Sequence, residues 1–196
     1  MTKFQDPTGL SRWATIMLCA YMALLAIETI RLLIVRPGAP AFGLVVVFYP
    51  IALVLCAILI LCWVYRASAN AHLFGTGGMT ITPGWSVGWF FIPIANLVMP
   101  FRGVDEAWRA SQKAAGRDAE ARSPVVRWWW GLWLLNNIVT SIVLVTGGGE
   151  TYASPGLHFL NLIATALGIA ASLVLIRLMS SLNRAQLIAS RGSVFA

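Results

Sequence analysis

Four long stretches of the chain are almost entirely apolar, and polar or charged clusters separate them. They cover about residues 12–34, 41–65, 125–146 and 157–176. Each stretch reaches the roughly 20 residues that an α-helix needs to cross a hydrocarbon core of about 30 Å. The pattern therefore predicts four transmembrane helices.

A fifth apolar stretch, residues 85–100, is shorter and is interrupted by proline. A straight helix over its first fifteen residues would measure about 22 Å, less than the thickness of the core. Pro93 also frees the carbonyl of Trp89, and free backbone at membrane depth needs protein or cavity water as a partner. Asn96 is the nearest side chain able to help. We therefore predict a re-entrant or interfacial segment, with an irregular fifth span as the alternative.

Residues 101–116 have the pattern of an amphipathic helix that lies at the cytoplasmic surface of the membrane. Arg102 and Glu106, and likewise Asp105 and Arg109, stand four residues apart and can pair on the wet side of such a helix. We expect both carboxylates to lie on a solvated face.

The composition agrees with lipid as the solvent of this chain. Hydrophobic residues make up 59% of it and charged residues 11%, whereas soluble domains carry about 25% charged residues. We therefore expect one all-α integral membrane domain over residues 1–196. It would consist of four spans, the broken segment and the surface helix.

The basic residues favour one orientation of the chain. If both ends face the cytoplasm, 12 of the 14 Lys and Arg residues lie inside, and only Arg31 and Arg36 lie outside. This distribution fits the positive-inside rule. It also indicates contact with anionic lipid head groups on the cytoplasmic side. Nucleic-acid binding is not expected, because the basic residues flank membrane spans rather than form a free basic helix.

Polar side chains within apolar stretches are the candidates for a functional site. Asparagines inside membrane bundles either join helices by hydrogen bonds or line a polar pocket, here one over the broken segment. Glu28 and Arg31 can pair on one helix face, either at the interface or in a cavity or partner contact. Trp85 and Trp89 share one face of the broken segment, where they suit a lid or a partner contact. The full set of candidates is Glu28, Arg31, Asn70, Trp85, Trp89, Asn96, Asn136, Asn137 and Asn161.

The residues that usually carry catalysis are sparse. His72 and His158 fall at opposite ends of their predicted spans, so they cannot share one metal ion or clamp one haem. The three cysteines lie inside predicted spans, where buried small hydrophobes are the expected role. We expect no catalytic residue, no metal site, no cofactor and no enzymatic activity.

Several sequence blocks in a fixed order carry a resemblance to a known family. They are Trp63-Val-Tyr-Arg-Ala-Ser-Ala-Asn70, Pro83-Gly-Trp-Ser-Val-Gly-Trp-Phe-Phe-Ile-Pro-Ile-Ala-Asn96, Pro100-Phe-Arg, Glu106-Ala-Trp-Arg-Ala-Ser111 and then a Trp-rich span. Over roughly residues 40–190 the chain resembles the bacterial membrane family catalogued as domain of unknown function 4328. The resemblance implies a small helical protein of the bacterial inner membrane. It implies no activity.

Two functions from different classes follow from these expectations. The first is a non-enzymatic helical-bundle protein that serves as an accessory or regulatory subunit of a larger membrane assembly, with other membrane proteins or further copies of itself as partners. The alternative is a small transporter or channel built around residues 83–100, because broken helices at membrane depth line the sites of many transporters.

Overall fold

The computed structural model describes residues 3–34, 43–117, 123–147 and 155–192, and its regular structure over these ranges is entirely helical. The two short 3₁₀ turns are Trp89–Phe91 and Ala95–Leu97. The six α-helices are α1 Thr8–Ile34, α2 Gly43–Leu73, α3 Pro83–Gly88, α4 Met99–Ala114, α5 Pro124–Gly147 and α6 Pro155–Gly192.

Among the described residues, four helices are long and apolar enough to cross a membrane, namely α1, α2, α5 and α6. They fall on the four predicted stretches. The predicted fold class, an all-α membrane protein with four spans, is therefore confirmed. Helix α6 runs to Gly192, well past its apolar part.

The four long helices pack in the spatial order α2, α1, α6, α5. Helices α1 and α2 form one antiparallel pair, α5 and α6 form another, and α1 packs on α6. Within the described ranges α2 and α5 make no extended contact with each other, so a gap separates them. Helices α3 and α4 both pack on α2 at one end of the bundle, and α4 also packs on α6 and α5. We call this the α4 end.

The best-packed core lies at the α4 end. Trp63 of α2, Trp129 and Trp130 of α5 and Leu178 of α6 are all buried there. In the tryptophan run that opens α5, the neighbouring helices cover Trp129 and Trp130, while Trp128 is 67% exposed.

Helix α4 differs from the predicted surface helix in its burial. Asp105 is 3% exposed and Glu106 is 6% exposed, whereas Arg102 is exposed. The expectation of a solvated face for both carboxylates is therefore wrong. The physical reason is that α4 lies between α2, α6 and the chain around residues 76–82, so protein groups replace water around it.

Each buried carboxylate has its own partners. Asp105 pairs with Arg109 across 3.1 Å, as the spacing predicts. Glu106 does not pair with Arg102. It accepts hydrogen bonds from the backbone N–H and hydroxyl of Thr80, at 2.8 and 2.6 Å, and from the backbone N–H of Ile81, at 3.1 Å.

Candidate functional site

In the structure the broken segment comprises residues 83–98, because α3 begins at Pro83 and α4 begins at Met99. It leaves the α4 end and returns to it. Thr82 is the N-cap residue of α3, and its hydroxyl accepts a hydrogen bond from the backbone N–H of Trp85. Two 3₁₀ turns follow, on either side of Pro93. The chain then enters α4, where a Cβ on Gly103 would lie 3.4 Å from the Cβ of Ser86 in α3. The start of the segment and the helix after it are therefore direct neighbours.

Trp130 of α5 holds the returning half of this segment. Its indole N–H donates to the carbonyl of Leu97 at 3.1 Å, and its ring meets the edge of Phe90 at a centroid distance of 6.3 Å. Asn96, the side chain expected to help the freed backbone, keeps a buried Oδ1 that accepts no hydrogen bond. A buried indole N–H usually finds an acceptor, so the tryptophan run was the signal that could have identified this support.

The outer side of the broken segment is aromatic and apolar. Trp85 and Trp89 stack with their ring centroids 4.6 Å apart, and Trp85 is half exposed. Between the two 3₁₀ turns Ile94 is 84% exposed, and Leu97 and Val98 are exposed after it. We call Ile94, Leu97 and Val98 the outer face.

A cavity of about 340 Å³ lies in the gap between α2 and α5. Helices α1 and α6 form its back wall. Phe90 and Phe91, at the tip of the broken segment, contribute to its wall, as do Cys56 of α2 and Trp129 and Trp133 of α5. Its walls are mostly apolar, and among the residues that the structure describes none that lines it is charged. Small-molecule sites in proteins have volumes of about 300–1,000 Å³ and this kind of lining.

Two of the candidate asparagines reach this cavity. Asn136 and Asn137 both line it. Asn137 donates from Nδ2 to the carbonyl of Trp133, one turn earlier in its own helix, at 2.7 Å. Asn161 likewise donates within its own helix, to the carbonyl of Leu157 at 3.1 Å, and it does not line the cavity.

Asn70 belongs to a different site, a buried polar network at the α4 end. Its Nδ2 donates to the carbonyl of Gln5 at 2.7 Å and to Oε1 of Gln186 at 3.0 Å, and its Oδ1 accepts from the backbone N–H of Gln5. Gln186 in turn donates to the carbonyl of Ala67 and to the hydroxyl of Ser111. The network joins the N-terminal leader to α2, α4 and α6.

A second chain of hydrogen bonds lies beside this network. The indole N–H of Trp63 donates to Oδ1 of Asn183 at 3.0 Å, and Nδ2 of Asn183 donates to the hydroxyl of Ser11 at 2.7 Å. Of the polar residues in the two networks, only Asn70 stood among the candidates. The polar ends of α2 and α6 have the same sequence pattern as a solvated helix end, so the sequence carried no signal for the others.

Glu28 and Arg31 form the predicted i, i+3 pair near the end of α1, far from the α4 end. The Nε of Arg31 donates to Oε2 of Glu28 at 2.9 Å, and both side chains are largely covered. Neither residue lines the cavity. The nine candidates therefore do not form one site. They lie at the cavity, in the broken segment, in the polar network, in the Glu28–Arg31 pair on α1 and at Asn161 on α6.

The two histidines lie far apart, as expected. His72 is in the last turn of α2 and His158 in the first turn of α6. Over the described part of the chain, no three His, Cys, Asp or Glu side chains come together in a way that could hold a metal ion.

These features define the chain as a multi-pass helical membrane protein with a proline-broken segment between its second and third spans. The chain belongs to the family described as Domain of unknown function (DUF4328), whose model matches residues 38–184. The matched range includes the broken segment, α4 and most of the helices around the cavity, and it confirms the resemblance found in the sequence. Comparisons with curated proteins and with solved structures give no match.

Proposed function

We propose that this protein is a non-enzymatic accessory or regulatory subunit of a larger membrane assembly and that its partner binds the outer face of the broken segment. The observation that carries the proposal is an exposed apolar surface on irregular backbone. Ile94, which is 84% exposed, lies between two 3₁₀ turns and directly after Pro93.

A regular helix can face lipid directly, whereas irregular backbone cannot, because its polar groups lack hydrogen-bond partners in hydrocarbon. A regular span satisfies its backbone groups internally, so an exposed residue such as Val145 of α5, at 83%, needs no cover. Around Pro93 the backbone leaves the helical hydrogen-bonding pattern. Such backbone is tolerated in hydrocarbon only where protein or cavity water surrounds it. A membrane protein seated on the outer face supplies that cover.

The distribution of basic residues supports a cytoplasmic position for the α4 end. Most of the described basic residues lie at that end, and they would face anionic lipid head groups there. With this orientation in a bacterial inner membrane, both chain ends are cytoplasmic and the broken segment is re-entrant. The basic residues at this end are Lys3, Arg12, Arg66, Arg102, Arg109, Lys113, Arg117, Arg127, Arg177, Arg184 and Arg191.

The proposal is tested by extraction from native membranes in a mild detergent, followed by mass spectrometry of the proteins that co-purify. We expect a stoichiometric protein partner. The variant Ile94→Ser should lose that partner, while the matched control Val145→Ser, at an equally exposed position of a regular helix, should keep it. Neither residue is in the core, so both variants should fold. Equal recovery of the partner by both variants would contradict the proposed binding face.

The alternative is a small transporter or channel that uses residues 83–100. The cavity beside the broken segment favours it. The uncharged walls and the phenylalanines at the tip of the segment support the accessory role instead, because a polar solute would lose its hydration without gaining partners. A homo-oligomer that purifies without any other protein and produces a flux in proteoliposomes would replace the first proposal with this one.

A further inference from the structure

We propose that the cavity between α2 and α5 is a binding site for a neutral, lipid-soluble molecule that carries a carbonyl or hydroxyl group. This inference concerns the inner side of the broken segment. It does not depend on the partner proposed for the outer face.

The lining of the cavity selects against charge. Charged groups are expensive in a low-dielectric site unless they meet an opposite charge. None of the described side chains that line the cavity is charged, and most of its surface comes from aliphatic and aromatic side chains of the four spans. A charged ligand would therefore have no counterion there, whereas a neutral apolar ligand replaces empty space with contacts.

Asn136 supplies the observation that calls for a hydrogen-bonding group. Over the described residues, no hydrogen bond joins its side-chain amide to another protein group, although it lines the cavity. Three other polar side chains of the lining do have hydrogen-bond partners within the protein. The hydroxyl of Tyr21 lies 3.3 Å from the hydroxyl of Tyr49, Ser172 donates to the carbonyl of Gly168, and Asn137 donates within its own helix.

An unpaired amide in an apolar site loses its hydration without compensation. A ligand carbonyl would accept from Nδ2 of Asn136, and a ligand hydroxyl would donate to its Oδ1. The amide packs closely on α6, because Oδ1 of Asn136 lies 3.6 Å from the position that a Cβ on Gly168 would take.

The position of the cavity determines how the ligand reaches it. Because α2 and α5 are not in extended contact, the cavity lies behind a gap between two spans and adjoins the bilayer interior. An engineered apolar cavity of about 150 Å³ already binds benzene. A cavity of about 340 Å³ therefore has room for a small ring system or a chain segment with its polar group.

The test is photolabelling of the purified full-length protein in lipid nanodiscs with a diazirine derivative of octanol, which is a neutral, lipid-soluble hydroxyl compound. Peptide mass spectrometry then locates the adducts. We expect saturable labelling of cavity residues, including Cys56 and Tyr21, and competition by unlabelled octanol. Labelling that never saturates and is spread evenly over the lipid-facing residues would overturn the proposal.

Two bulky variants on α2 provide a matched comparison. Ala57 lines the cavity and is exposed, so Ala57→Phe should fill the site without unfolding the protein, and saturable labelling should fall at least tenfold. Val54 is exposed on the same helix but does not line the cavity, so Val54→Phe should leave the labelling unchanged. Equal loss, or no loss, in both variants would contradict the site.

Asn136→Leu separates a ligand contact from a structural role. We expect octanol binding to weaken about fivefold, the equivalent of one hydrogen bond within a membrane protein. The melting temperature of the ligand-free variant should stay the same or rise, because an unpaired amide is removed. A lower melting temperature with unchanged binding would show that Asn136 joins helices instead of contacting a ligand.

Discussion

Glu106 shows how much a single residue contributes to this structure. Its carboxylate lies within the protein and accepts three hydrogen bonds from Thr80 and Ile81, which hold the chain before α3 against α4. The sequence predicted a charged residue on an amphipathic helix. It did not predict the burial, because the partners are backbone N–H groups, which every sequence carries and no side-chain pattern marks.

We expect Glu106→Leu to destabilise the protein by about 2–5 kcal/mol, because the N–H groups of Thr80 and Ile81 lose their acceptor in a buried site. Glu106→Gln should cost less than about half of that. Its carbonyl can still accept from both N–H groups, and its amide can donate to the hydroxyl of Thr80. Thermal unfolding in detergent measures the loss of stability in each variant. Equal losses in the two variants would show that charge, rather than hydrogen bonding, sets the contribution.

Asp6, which lies just before α1, makes the stability of the folded protein depend on pH. Hydrogen bonds from Thr8 lower the pKa of Asp6, and the nearby charge of Arg66 adds to this effect. The carboxylate therefore contributes stability that is present above its unfolded pKa of about 3.9 and is lost as the pH falls through its folded pKa.

Asp6→Asn keeps a capping group for the N–H of Thr8 but removes the titration. We expect the variant to lose less stability than the wild type between about pH 5 and pH 3. Melting temperatures at several pH values check this. An identical pH profile for both proteins would show that other carboxylates dominate the acid sensitivity.

At the scale of elements, the sequence predicted the broken segment but not its support. Proline and limited length were enough to predict that residues 85–100 do not form a straight span. The support comes from Trp130, more than 30 positions later, where the same residue type also serves as an interfacial anchor. Which of three adjacent tryptophans faces inward depends on the rotation of α5 against α6, and nearly uniform apolar spans carry no periodic signal for that rotation.

Trp130→Phe tests this support. The variant loses the hydrogen bond to the carbonyl of Leu97 and should lower the free energy of unfolding by about 1–3 kcal/mol. Hydrogen exchange over residues 94–98 should become faster. Trp128→Phe is the control, because Trp128 is exposed on the same helix. Comparable effects of the two substitutions would contradict the assigned role.

At the scale of the whole molecule, the number of spans was predictable and their arrangement was not. Length and hydropathy identify spans because the bilayer fixes both quantities. The neighbour order α2, α1, α6, α5 leaves the gap that holds the cavity. This order depends on side-chain fit and on the buried networks of Asn70 and Asn183, which pair residues more than 100 positions apart.

The orientation is testable with single cysteines in a background that lacks Cys19, Cys56 and Cys62. We expect a cysteine at Gly78, in the loop after α2, to resist an impermeant thiol reagent applied outside the membrane, because the α4 end faces the cytoplasm. A cysteine at Gly148, a position outside the described residues, should react. Labelling of the cysteine at position 78 from outside would show that the orientation is the opposite one.

The network around Gln186 also has a consequence for the biogenesis of the protein. Asn70 and Ser111 are synthesised long before Gln186, yet both depend on it for a hydrogen bond. Before α6 is made, Asn70 keeps only its hydrogen bonds to Gln5, and Ser111 keeps only its hydrogen bond to the carbonyl of Ala107. The polar network that joins α2, α4 and α6 is therefore complete only after the last helix has been added.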